Sequence, residues 1–145
     1  VSDLVITVYG TPAPQGSKRH VGNGVMVESS AAVKPWREAV KAAALETSTR
    51  TLSGAVEVWA CFYLKRPKYH YGTGRNALYV KPRYLDARPD AKPDLDKLLR
   101  STLDALSDAG IWRDDSQVVR IEAGKWWADL GKIPGATIYV RAVAP

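Results

Sequence analysis

The sequence predicts an α+β fold, a mixed α/β sandwich with helices packed on a small mixed sheet in the order β-α-β-loop-α-β-β. Three observations carry this expectation. Apolar, β-branched runs recur at residues 4–9, 54–64, 118–123 and 137–143. Residues 94–108 instead repeat leucine at helical spacing. A chain of 145 residues is long enough for one core and short for two, so residues 1–145 are expected to form a single domain.

Taken in order, Leu4-Val5-Ile6-Thr7-Val8-Tyr9 is the first strand, ended by Gly10. The stretch from Thr11 to Gly24 is rich in proline and glycine and reads as a loop with a basic centre. Gln15, Lys18 and Arg19 in it are candidate phosphate contacts, against the plainer reading of a solvated loop. Ser29 or Ser30 precedes a helix that is firm over 35–45, with Pro35 in a permitted first-turn position. Trp36, Val40, Ala43 and Ala44 share one face, so Trp36 reads as a core anchor rather than a binding platform. Gly54 opens a second strand to Leu64, apolar on both faces except at Glu57. Such a strand is expected in the middle of a sheet covered by helices.

Residues 65–93 show no periodicity, and a basic loop of this length is expected to be functional or mobile. Lys65, Arg66, Lys68, Arg75, Arg83 and Lys92 suit phosphates, while Tyr69, Tyr79 and Tyr84 between them suit stacking on exposed bases. His70 sits among tyrosines with no carboxylate nearby in sequence and reads as a contact residue, not a metal ligand or base. The following helix carries Leu95, Leu98, Leu99, Thr102, Leu103 and Leu106 at i, i+3, i+4, i+7, i+8 and i+11, with Gly110 as its C-cap. At about 100° per residue, Asp96 falls beside the leucine arc and Arg100 one turn further along the same edge. Ile111-Trp112 then re-enters the core and Asp114-Asp115-Ser116 turns the chain. A third strand begins at Val118 and runs towards Trp126-Trp127. It is expected to form an antiparallel hairpin with a last strand, Thr137 to Val143.

The formal charge is +6. Residues 65–100 hold ten Lys/Arg against four Asp, and the rest of the chain holds eleven of each sign, so the whole excess lies in one segment. That concentration points to a polyanion partner rather than to general solubility. No apolar run reaches the length of a membrane span, and no secretory signal is expected at the start. The lone Cys61 cannot form an internal disulfide and is too isolated to anchor zinc, which favours a reducing cytoplasm.

The candidate chemistry lies in the acids. Asp94 after Pro93 is simply read as a helix cap, Asp96 as a charge favoured at a helix start, and Asp114-Asp115-Ser116 as a polar turn. A D-x-D pair and a D-D pair flanking one helix would converge if the next strand packs beside that helix. Carboxylates brought so close repel unless a cation neutralises them, and Mg2+ takes such hard oxygen ligands. A site of that kind hydrolyses phosphodiesters, with Arg100 or Lys97 stabilising charge on the phosphate.

Lys92-Pro93-Asp94-Leu95-Asp96, Leu103-Asp104-Ala105-Leu106, Asp114-Asp115-Ser116-Gln117-Val118 and Lys125 together resemble the RusA family of Holliday junction resolvases of bacteria, prophages and phages. The early Pro14-Gln15-Gly16-Ser17-Lys18-Arg19 loop is similar to that of phage members. The resemblance implies a homodimeric, Mg2+-dependent endonuclease of DNA recombination and repair, with Mn2+ as a substitute. It implies binding to four-way DNA junctions and symmetric nicking of two opposing strands. It assigns Asp94, Asp96 and Asp115 as the essential metal-binding aspartates with Asp114 as neighbour, and adds Lys125 to the DNA-contacting set. The family's catalytic lysine falls where this chain has Arg100, and an Asn usual after the second aspartate is Lys97 here. Arginine keeps the charge but cannot release a proton. A nuclease for other branched or flapped DNA, and a weakly catalytic junction-binding protein, remain as alternatives.

Overall fold

In the computed structural model, residues 3–15, 18–20, 26–28, 31–129 and 132–144 are described, for 18–20 and 26–28 as backbone only. The middle strand is β4 (Val56–Lys65), whose side chains alternate between fully and half-buried. It pairs on one side with β6 (Gly135–Ala142), antiparallel, and on the other with β5 (Val118–Ala128), parallel. β1 (Asp3–Tyr9) adds to the far side of β6, giving the order β1-β6-β4-β5. The α+β class and the central place of β4 are as expected from sequence.

Three expectations are corrected. β5 and β6 do not form a hairpin, because β4 lies between them. Ala136, Ile138 and Val140 of β6 are buried, which requires strands on both sides, whereas the first half of β5 is exposed and suits an edge. Second, β4 has helices on one face only. Val56, Val58, Ala60 and Phe62 share the core with Trp36 and Val40 of one helix and Leu98 and Leu106 of the other. Glu57, Trp59, Cys61 and Tyr63 point to the opposite, open face, where Trp59 meets Tyr139 edge-on at 5.5 Å. Third, part of the early loop pairs as β2 (Lys18–His20) with β3 (Met26–Glu28).

Helix α1 (Val33–Thr47) buries Val33, Trp36, Val40 and Ala44 and starts from Ala32 without a side-chain cap. Ser29 and Ser30, the expected caps, lie outside the described residues. Trp36 is the core anchor expected: it is buried, and its indole Nε1 donates to Thr102 Oγ1 at 3.1 Å. Helix α2 (Leu95–Asp108) ends as its glycine predicts. Gly110 has φ 79°, its N–H donates to Ser107 O and the Ile111 N–H to Leu106 O, which satisfies the last carbonyls. The segment joining β4 to α2 is not structureless. It holds 3-10 turns at Lys68–His70, Gly74–Asn76 and Pro82–Tyr84 and a bridge between Tyr71 and Val80.

One consequence of this topology governs the site. β4 and β5 are parallel neighbours, so α2 between them must return along the sheet. Its first turn therefore stands at the C-terminal ends of β4 and β5, and its last turn at their beginnings.

Candidate active site

Asp94 is the N-cap residue of α2, with extended backbone (φ −68°, ψ 137°), yet its carboxylate makes no capping bond. It stands instead 3.7 Å from Lys97 Nζ, one turn along. Asp96 and Arg100 are exposed, and neither has a hydrogen bond or ion pair among the described residues. The corner before Asp94 is fixed from β5: Lys125 Nζ donates to Ala91 O at 2.8 Å and to Pro93 O at 2.9 Å. Lys125, expected to contact DNA, is thus engaged with the backbone that presents Asp94.

The other acids stand at the far end of α2. Asp114 caps the 3-10 turn Asp115–Gln117, accepting from Ser116 N at 2.9 Å, and this bond holds its carboxyl below the ordinary range. Asp115 Oδ1 accepts from Trp112 Nε1 at 3.0 Å and from the Ser107 hydroxyl. Asp104 faces Asp115, and Gln15 Nε2 donates to its Oδ2 at 2.9 Å. Burial first, then the charge of Asp115, pushes the Asp104 carboxyl up, against the opposing pull of Arg37 and the Gln15 amide.

Asp96 and Ser107 are eleven residues apart on one helix, about 16 Å of rise. The expected convergence of Asp94 and Asp96 with Asp115 is therefore not present within one chain. β5 does pack beside α2, but in the opposite direction, so its start lies at the wrong end. Among the described residues no three Asp, Glu, His or Cys side chains gather closely enough to hold a metal ion. The chemistry of the donors suits a hard cation, but the single-chain arrangement does not supply a three-acid set.

The basic segment leaves β4 and returns to Asp94, so it lies at the Asp94 end. Lys65, Lys68, Arg75, Arg83 and Lys92 are exposed, as is Tyr69, and Arg83 lies 5.0 Å above the Tyr84 ring. Arg66 and His70 are not surface groups. Arg66 is 8% exposed, with Nη1 donating to Tyr84 O at 2.9 Å and lying 3.2 Å from His70 Nδ1. The imidazole stacks on Tyr84 at 4.2 Å and meets Trp127 edge-on, and its burial, with Arg66 and Lys81 nearby, pushes its pKa down. Gln15 serves α2 rather than the surface: besides Asp104, it accepts from Arg37 Nη1 at 3.3 Å. The side chains of Lys18 and Arg19 lie outside the described residues.

Sequence reasoning missed Asp104 as a site residue, and with it the holders of Asp115, Ser107 and Trp112. The signal was present in part, since Asp104 and Ser107 are one helical turn apart and share a face. It also missed Arg88, whose Nε donates to Lys125 O at 2.9 Å while its guanidinium covers the Trp126 ring at 4.3 Å.

A basic α+β chain with acids at both ends of one helix belongs with the small nucleases in its layout. More specifically, this chain is a member of the RusA endodeoxyribonuclease family, whose model, described as Endodeoxyribonuclease RusA, matches residues 9–141. A relative, Uncharacterized protein YqaN of Bacillus subtilis (strain 168), is 30% identical over 144 residues, covering 97% of each chain. No helix among the described residues is long and apolar enough to cross a membrane.

Proposed function

We propose that the protein is a Mg2+-dependent endonuclease that acts as a homodimer on four-way DNA junctions and nicks two opposing strands symmetrically. The observation that carries this reading is the uncapped Asp94, which with Asp96 opens α2 at the end of the sheet where the basic segment emerges. A carboxylate at a helix start normally accepts from the backbone, and one that does not is left for another partner. Mg2+ suits it, because that ion binds through one or two carboxylates together with water and phosphate.

The chain's own residues then divide the work. Lys65, Lys68, Arg75, Arg83 and Lys92 neutralise phosphates, and Tyr69 offers a ring to an unstacked base. Lys97 and Arg100 lie within a turn or so of the D-x-D pair and meet charge developing on the scissile phosphate. Lys125 and Arg88 keep the Asp94 corner in place.

The test is cleavage of a labelled mobile four-way junction with Mg2+. Wild type is expected to make paired nicks, and Asp94→Asn and Asp96→Asn to bind the junction without cutting it. Wild-type protein that binds but never nicks with Mg2+ or Mn2+ would instead be a junction-binding module. Equal nicking of linear duplex would leave a nuclease without junction selectivity.

A further inference from the structure

We infer that the acids at the two ends of α2 act together across a two-fold dimer, formed by antiparallel pairing of the β5 edges of two copies. The inference rests on the proposed nuclease reading for what the acids do, but not for the pairing itself.

β5 is the outer strand of the four-stranded sheet and pairs only with β4. It is eleven residues long, and Val119 to Glu122 are exposed on both faces. Val119 is 62% and Ile121 42% exposed, so α2 does not cover this part of the strand. A long edge carrying exposed apolar side chains is a template for another strand.

The edge is complementary to itself. In an antiparallel pair centred on Ile121, Arg120 stands opposite Glu122 of the partner subunit, and Glu122 opposite its Arg120. Val119 then meets Ala123 of the partner subunit, and the two Ile121 side chains meet on the axis. Both faces of the pair are satisfied, one by opposite charges and the other by apolar contact. Within one chain Arg120 Nη2 already lies 2.6 Å from Glu122 Oε1, so pairing would extend this contact into an alternating four-charge row. An unrelated peptide strand would satisfy the backbone but has no reason to match this charge order.

The same register places Gln117 opposite Lys125 of the partner subunit. The turn carrying Asp115 follows Asp114 and leads directly into Gln117, whereas Lys125 holds the corner presenting Asp94. Antiparallel pairing thus sets the Asp104–Asp115 end of each chain beside the Asp94–Asp96 end of the other. Two composite sites result, and eight strand residues separate their anchors, about 27 Å. Two equivalent sites on one two-fold axis match a reaction that cuts two opposing strands.

Two measurements test this. Sedimentation should give a dimer for wild type and a monomer for Val119→Lys/Ile121→Lys, with unchanged circular dichroism, since both side chains are exposed. A wild-type monomer, or a doubly substituted dimer, would overturn the interface. The second measurement isolates, through two different tags, a heterodimer of one Asp96→Asn chain and one Asp115→Asn chain. If the site is shared, one of its two sites has both lesions and the other none, and it should nick junctions at about half the wild-type rate. If each site lies within one chain, the heterodimer is as inactive as the two parent homodimers, and the composite site is wrong. Wild-type dimer that does not cut would sink the nuclease reading while leaving the edge pairing in place.

Discussion

Lys125 Nζ reaches across from β5 to the carbonyl of Pro93 at 2.9 Å, so the residue before Asp94 is held by the sheet rather than by the helix it precedes. Its second bond, to Ala91 O, doubles the tether. Lys125→Met keeps the length of the stem and removes both charged donors. Charge-assisted hydrogen bonds contribute about 1.5–3 kcal/mol each when well made. The half-exposed setting places the expected total near the lower figure. Urea denaturation should show that loss, and junction nicking should fall at least tenfold as Asp94 loses its fixed position. Full activity in a destabilised variant would mean the corner need not be held.

Arg100 bears on rate and not on folding, because it is exposed and has no ion pair among the described residues. Arg100→Ala should leave stability within about 0.5 kcal/mol. If its charge assists the phosphate, nicking should drop about ten- to a hundredfold at unchanged junction affinity. Arg100→Lys restores the ammonium usual in the family at this place and should cut at least as fast as wild type. Single-turnover kinetics on a labelled junction separates the two variants, and wild-type rates for Arg100→Ala would assign the role to Lys97 alone.

The α2 helix was legible because its leucines mark a period and Gly110 marks its end. Trp36 was legible for the same reason. Strand pairing was not, since β4, β5 and β6 are all apolar enough to be neighbours, and only the exposure of Val119 to Glu122 reveals which one is the edge. The separation of Asp94 from Asp115 was hidden too. It depends on the direction in which β5 leaves α2, a property of the parallel pairing and not of any local residue. Asp104 owes its setting to Gln15, distant by 89 positions, and Arg66 is buried by Tyr84 and His70 from a stretch that looked solvated.

Gly135 shows how closely β1 and β6 approach. A Cβ there would lie 1.9 Å from the Val8 carbonyl oxygen, a backbone atom that cannot move aside without shifting the strand. Gly135→Ala should therefore cost more than about 3 kcal/mol or prevent soluble expression. Urea unfolding or yield of soluble protein reads the effect. Wild-type stability in this variant would mean that the two strands are further apart than described.

His70 gives stability a pH dependence with a definite sign. Burial lowers its folded pKa below the ordinary 6.5, and the nearby Arg66 and Lys81 charges act in the same direction. The unfolded chain takes up the proton at about pH 6.5, the folded chain only at lower pH. Below that value the unfolded state binds more protons, so stability falls on acidification until the folded imidazole also titrates. Above it, the contribution of the neutral ring is complete. His70→Phe keeps a ring to stack on Tyr84 and removes the titration, at the expense of the contact between Arg66 Nη1 and Nδ1. Wild type should therefore be the more stable at pH 8, and its advantage should shrink between pH 6.5 and pH 5 in paired urea titrations. An advantage that grows on acidification would show a protonated imidazole gaining a partner, and would place a carboxylate where the folded structure has Arg66 and Lys81.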